Sequence, residues 1–326
     1  MKRKRAGAGL ALGVVAVLGL SACANNVQAS APDAAGEQTL VVNTTQGFGY
    51  TSLLKAENIQ VDGVAVEYIT STEEVDPAIA SGSVHLDDTG DIGPITARGS
   101  GGKNVAVACT QPNTELNHYL VKKDSGIDSF EDLVGKKVAL HVQSNHGLLY
   151  ERLLNENSLT EDDVEVVDIS GPEALNALLT DQVDAYSALA PAALDHLKKH
   201  PDLVSIEGIE GNINNRYCLY TNENTLESHQ EALRAYLGAV QETALWAAEN
   251  PEEAAQTVVD AGETEYDVGT LAQTFAASGA GYQPFDESFY AEQQQFAAEL
   301  VDVGFLDEEV DVHEVFVDDF QEVFVP

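Results

Sequence analysis

Polar, glycine-bearing corners hold the residues of this chain best suited to gripping a small charged molecule. Thr44-Thr45-Gln46-Gly47 and Asp88-Thr89-Gly90-Asp91 lie in the first part of the chain, and Gln143-Ser144-Asn145-His146-Gly147 lies further on. Each precedes a helical stretch, so free backbone N–H groups and the positive end of a helix are on offer to an anion. Gln46, Gly47, Thr89, Gly90, Ser144 and Asn145 are therefore candidate ligand contacts. His146 either donates to an oxyanion or stands exposed. Asp91 either caps the next helix or meets an amine on the ligand. Arg216 is the best placed of few cations, and either binds an anion or joins one of many nearby acids in a structural salt bridge. Tyr282 is a further candidate, with packing as its alternative.

Chemistry beyond binding finds little support. The eight His are scattered without metal-ligand spacing, so neither a metal nor a cofactor is expected. Gly99-Ser100-Gly101-Gly102-Lys103 resembles a phosphate loop, but Asn104 stands where Ser or Thr is needed and the leading Gly is absent. No nucleophile-elbow pattern occurs. An enzyme is not expected.

Charge narrows the partners. The 54 acids and 16 bases give a net charge of −38 over 326 residues. Nucleic acid is excluded as a partner, because phosphate binding needs clustered bases and none follows Arg234. Acids spread over every segment suit either salty surroundings or a merely acidic secreted protein. An anionic ligand remains compatible, and a zwitterion or a cation stays open. Charges are screened beyond about 8 Å, whereas a helix end contributes roughly 0.3–1 kcal/mol and a charge-assisted hydrogen bond about 1.5–3 kcal/mol.

The first 22 residues read as a secretory signal: Lys2 to Arg5, an apolar middle, then Leu20-Ser21-Ala22-Cys23. That ending resembles a bacterial lipobox, with Cys23 as the lipidated residue, so a membrane anchor and an extracytoplasmic location are expected. Removing the signal leaves 12 bases against 54 acids, a net charge of −42. Residues 23–38 read as a flexible tether. Cys109 and Cys218 each sit in or beside an apolar run; they form a bridge if those runs are neighbouring strands, and are otherwise small buried hydrophobes.

Positioning the corners requires strands and helices, and these repeat. Val41 to Asp88 and Val138 to Ser187 follow one plan: apolar run, corner, helix, apolar run, helix, apolar run, at an offset of roughly 100 residues. Alternating strands and helices predict βαβ units on parallel sheets. Two such sheets make an α/β protein with two lobes, whose ligand sits outside the carboxyl ends of the strands. Strand three of the first lobe is expected at Ser83 to Leu86. The expected division is 39–122 with 217–326 for the first lobe and 123–216 for the second, with crossings near Lys123 and Arg216. The protein is expected to be a monomer.

Asp88-Thr89-Gly90-Asp91 followed by Pro94, Val121-Lys122-Lys123-Asp124-Ser125 with Asp132-Leu133-Val134-Gly135-Lys136-Lys137, and Trp246-Ala247-Ala248-Glu249-Asn250-Pro251 recur together in one group. On these, with Glu292-Gln293-Gln294 and Gly304-Phe305-Leu306, the chain resembles the substrate-binding lipoproteins of bacterial ABC importers, in the aliphatic sulfonate, nitrate and taurine binding group. The resemblance spans about Leu40 to Val312. It implies a type II periplasmic-binding-protein clamshell with a two-strand hinge, a small solute such as an alkanesulfonate or taurine-like anion, and permease and ATPase partners. Related proteins bind thiamine precursors, so the alternatives are another small anion or a heterocycle of that kind as solute, or a sensor lipoprotein that uses the fold without transport. This chain departs from the group at Gln143 to Gly147 and at Leu189-Ala190-Pro191-Ala192, where a Trp-Asp-Pro-Tyr-like segment is usual. Loss of both aromatics disfavours a pocket that stacks on a flat ring.

Overall fold

In the computed structural model, residues 38–44, 49–71, 75–209, 213–279 and 281–325 are described. The expected signal, nearly all of the tether, Cys23, Gln46 and Gly47 lie outside them.

The first lobe begins with β1 (Gln38–Asn43), α1 (Tyr50–Ala56), β2 (Val64–Ile69) and α2 (Asp76–Ser81). It continues with β3 (Asp87–Gly90), α3 (Ile92–Gly99) and β4 (Asn104–Thr110). β1 pairs in parallel with β2, and a Val42–Leu86 bridge carries the sheet on to β3. All seven residues of β4 are buried, as befits a strand covered on both faces.

The second lobe contains β5 (Asn117–Lys122), β6 (Lys137–Leu140), α4 (Asn145–Glu156) and β7 (Glu165–Asp168). It is completed by α5 (Gly171–Leu179), β8 (Ala185–Leu189), α6 (Ala192–Lys199) and β9 (Leu203–Ser205). Its strand order is β7-β6-β8-β5-β9.

The chain then returns through β10 (Tyr217–Asn222) to the first lobe, whose larger sheet runs β11-β4-β10-β3, with β11 at Tyr282–Gln283. Between β10 and β11 come α7 (Glu223–Ser228), α8 (Gln230–Glu249), α9 (Pro251–Asp260) and α10 (Val268–Ala277); α11 (Glu287–Asp302) follows β11. Pro251 opens α9, where its missing N–H costs nothing.

Both lobes therefore use the same plan, and in each one strand runs antiparallel to both its neighbours: β10 against β3 and β4, β5 against β8 and β9; β11 adds a short antiparallel edge to β4. This corrects the expected boundary at 122. β5 belongs to the second sheet, where Tyr119 to Val121 are buried between β8 and β9. The crossings consequently lie between Thr110 and Asn117 and between Ser205 and Tyr217. They pair with each other: Asn113 and Asn215 exchange backbone hydrogen bonds of 2.8 and 3.0 Å, giving a two-strand hinge.

Strand three also shifts. The paired stretch is Asp87–Gly90 rather than Ser83 to Leu86, because the polar run is satisfied inside the sheet. Asp87 accepts from Asn43 Nδ2 at 2.9 Å and from the Tyr220 hydroxyl at 3.1 Å. Cys109 and Cys218 face each other across β4 and β10 and are disulfide-bonded.

Two cores hold the outer faces of the lobes: one beneath α1, α8, α9 and α10, the other beneath α5 and α6. A third is common to both lobes, joining Ile92 and Ile95 of the first to Leu149 and Tyr150 of the second through Phe289, Phe296 and Leu300 of α11.

Candidate functional site

The second-lobe corner is held by its own chemistry. Ser144 is the N-cap of α4, accepting from the His146 N–H at 3.1 Å while donating to the His141 carbonyl at 2.7 Å. Gly147 is required there: a Cβ would fall 1.7 Å from the Val142 carbonyl oxygen. His146 bonds Ser187 at 2.9 Å, and burial, with His141 nearby, pushes its pKa down to about 4. Its imidazole is therefore neutral at pH 7.

The first-lobe corner meets it directly. Asp91 occupies the N-cap position of α3, but its side chain makes no cap bond. Fully buried, it accepts from Asn145 Nδ2 at 2.9 Å and from Gln293 Nε2 of α11 at 3.1 Å. Burial pushes its pKa up to about 6, against the opposing pull of those two hydrogen bonds and of Arg216. The capping expectation is thus corrected: the carboxylate turns across the cleft. Gly90 lies so close to the opposite corner that a Cβ would stand 2.5 Å from Asn145 Oδ1.

Arg216, only 6% exposed, sits at the end of the second crossing. It donates to the Thr110 carbonyl at 3.1 Å, pairs with Glu292 of α11, and stacks over Phe289 at 5.3 Å. The salt-bridge reading of Arg216 is therefore realised. Its Nε nevertheless has no hydrogen-bond partner among the described residues, with Asp91 4.0 Å away. Both side-chain polar atoms of Asn215 are likewise buried and without a partner among them.

These groups surround a cavity of about 240 Å³ lined by Gly90, Ser144, Asn145, His146, Asn215 and Arg216 among others. A second cavity of about 500 Å³ shares Gly90, His141, Ser144 and Asn145 with it and extends along the first lobe past Thr89, Asp87 and Asp88. The α4 N-terminus, the Asn215 amide and Arg216 stand at the walls of the smaller cavity, and they are its sources of hydrogen-bond donors.

Of the candidates, Thr89, Gly90, Ser144, Asn145, His146 and Arg216 thus line the cleft, and Asp91 lies buried behind it. Tyr282 does not join them. It is buried in the first-lobe core against Tyr50 and Phe324, its backbone clasped by Gln241, because β11 is an edge strand turned towards α8. Asn215, His141 and Glu292 escaped sequence reasoning. Gln293 left a signal: it falls on the apolar stripe of α11 with Phe289, Phe296 and Leu300, where an uncharged polar residue needs a buried partner. Among the described residues there is no metal-ligating cluster, and no helix is long and apolar enough to cross a membrane.

The chain belongs to the NMT1/THI5-like family, whose pattern matches residues 59–254, more than half of it. A relative described as an aliphatic sulfonates-binding protein from Escherichia coli (strain K12) is 32% identical over 114 residues, covering 35% of this chain and 36% of that protein. One so described from Bacillus subtilis (strain 168) is 21% identical over 182 residues, covering 56% and 55%. The matches thus span about a third and about half of these curated relatives. Among solved structures, the alkanesulfonate-binding protein SsuA from Xanthomonas axonopodis pv. citri, bound to MOPS, superposes with a TM-score of 0.75 at 18% identity, covering 86% of this chain and 98% of that one. The desulfurization enzyme DSZB shares the fold with a TM-score of 0.62 at 14% identity, covering 88% and 98%. The type II periplasmic-binding-protein fold implied by the resemblance is borne out.

Proposed function

We propose that this protein is the extracytoplasmic solute-binding component of an ABC importer, anchored through lipid on Cys23. It captures a small solute bearing an oxyanion, of the alkanesulfonate or taurine-like class, and delivers it to a permease driven by an ATPase. The observation that carries this reading is the 240 Å³ cavity between corners of opposite lobes, where Arg216 Nε and the Asn215 amide have no partners among the described residues. The relatives described as sulfonate-binding support the same solute class. A solute held by both lobes favours the closed arrangement of the hinge, which is the state a permease can read.

An enzymatic role is disfavoured, although the fold also houses a desulfurization enzyme. His146 pairs with Ser187, but with a pKa near 4 it is a weak base at neutral pH. A thermal-shift panel of sulfonates, phosphonates, nitrate and heterocycles tests the proposal. An alkanesulfonate or aminoalkanesulfonate should raise the melting temperature; no shift with any compound, or a shift with heterocycles alone, would overturn it.

A further inference from the structure

The lobes touch on both faces of the second sheet, and the two contacts differ in kind. On the face carrying α4, α11 joins the lobes by apolar packing through Phe289, Phe296 and Leu300. An ion pair between Arg152 and Glu299, 2.8 Å long and three-quarters buried, reinforces it. The opposite face carries α5 and α6. There the last turn of α6 meets the start of α10 in the first lobe, and Lys198 Nζ lies 2.7 Å from Asp267 Oδ1.

That carboxylate is fixed from the first-lobe side. Asp267 is the N-cap of α10, accepting from the Gly269 and Thr270 N–H groups at 3.0 and 3.3 Å and from the Thr270 hydroxyl at 2.9 Å. Its pKa is pushed down to about 2, first by the bond from Lys198. Further charges gather around the pair. Lys199, bonded to Asp195 at 2.8 Å, has its pKa raised chiefly by that bond and also by Glu265 and Asp267 of the first lobe. Tyr266, next to Asp267, has its hydroxyl pushed up to about 12 by burial first and then by Asp195 and Tyr186 of the second lobe. With 54 acids and only 16 bases in the chain, two lysines set against first-lobe carboxylates favour approach of the lobes at this place.

We propose that Lys198 and Asp267 form a salt-sensitive latch between the lobes, which part by separating α6 from α10 while α11 stays packed. This rests on the two-lobed hinge reading and not on the identity of the solute; it adds which flank opens and what holds it. The paired side chains are 60% and 40% exposed. A pair so exposed shifts the closed-to-open ratio by up to about fivefold, so the latch tunes closure and leaves the solute to decide it. At about 1 M salt the screening length falls to about 3 Å and the latch loses its hold.

Small-angle scattering of the solute-free protein tests this. At low salt Lys198→Gln should have a larger radius of gyration than wild type, Lys198→Glu a larger one still, and Lys198→Arg the same. Lys137→Glu is the control, because Lys137 pairs with Glu165 at 2.7 Å within the second lobe; its radius should match wild type. At about 1 M salt the differences should vanish. Equal radii for wild type, Lys198→Gln and Lys198→Glu at low salt would overturn the latch, as would an equal expansion in Lys137→Glu. An expansion that persists at high salt would overturn its ionic basis. Failure here leaves the solute receptor standing, since no solute is present, and a solute panel without a hit leaves the latch standing.

Discussion

At the residue scale, Asp91 sets the chemistry behind the corners. It is fully buried, and its carboxyl holds a proton up to about pH 6 instead of the usual 3.8. Between those values the folded chain binds more protons than the unfolded one, so this group favours folding at low pH. Its contribution, about 3 kcal/mol by linkage, is fully present below about pH 4 and lost as pH rises through 6. Asp91→Asn removes that dependence. The wild type should therefore lose stability relative to the variant between pH 4 and 6.5 in urea titrations, and parallel curves would contradict the burial argument. Single residues were only partly legible in the sequence. Thr89, Gly90, Ser144 and Asn145 could be picked out because small polar residues preceding a helix have a known use. Asp91 and Arg216 could not be resolved, because a charge that caps, pairs or binds looks the same until its neighbours are known. Glu292 and Gln293, which decide the matter, lie 76 residues or more away from Arg216 along the chain.

At the scale of elements, glycine decides how closely the corners are drawn. A Cβ on Gly147 would meet backbone, the Val142 carbonyl, whereas a Cβ on Gly90 would meet only the Asn145 side chain. Backbone cannot swing aside. Gly147→Ala should therefore cost at or above the top of the roughly 1–3 kcal/mol range for overpacking, and Gly90→Ala less. The reverse order in chemical denaturation would contradict the geometry. The disulfide makes a second prediction. It closes a loop of 109 residues between adjacent strands, for which the chain-entropy argument gives about 4–5 kcal/mol. Replacing both Cys109 and Cys218 by Ala should lower stability by up to that amount, and neither cysteine should react with a thiol reagent in denatured, unreduced protein. Labelling of both would refute the bridge.

The duplicated βαβ plan was visible because apolar runs recur at a fixed spacing. The placement of β5 was not. An antiparallel strand that has crossed from one lobe has the same local pattern as one that has stayed, and only the pairing of Leu120 with Tyr186 and Ser205 reveals its sheet.

At the scale of the molecule, two sheets of the same plan face each other across a hinge where Asn113 and Asn215 pair. On one flank α11 links them through a common apolar core, while the corners meet on another through Asn145 and Asp91. The net charge of −38 bears on this arrangement only locally. With a screening length of about 8 Å, distant carboxylates barely reach a cleft held by amides and one guanidinium. A solute that both lobes hold must protect both corners at once. Hydrogen exchange on the protein, with and without a saturating sulfonate or aminosulfonate, measures this most directly. Joint slowing of amides in 89–93 and 144–148 is the predicted result; slowing at one corner alone, or at neither, would contradict the account.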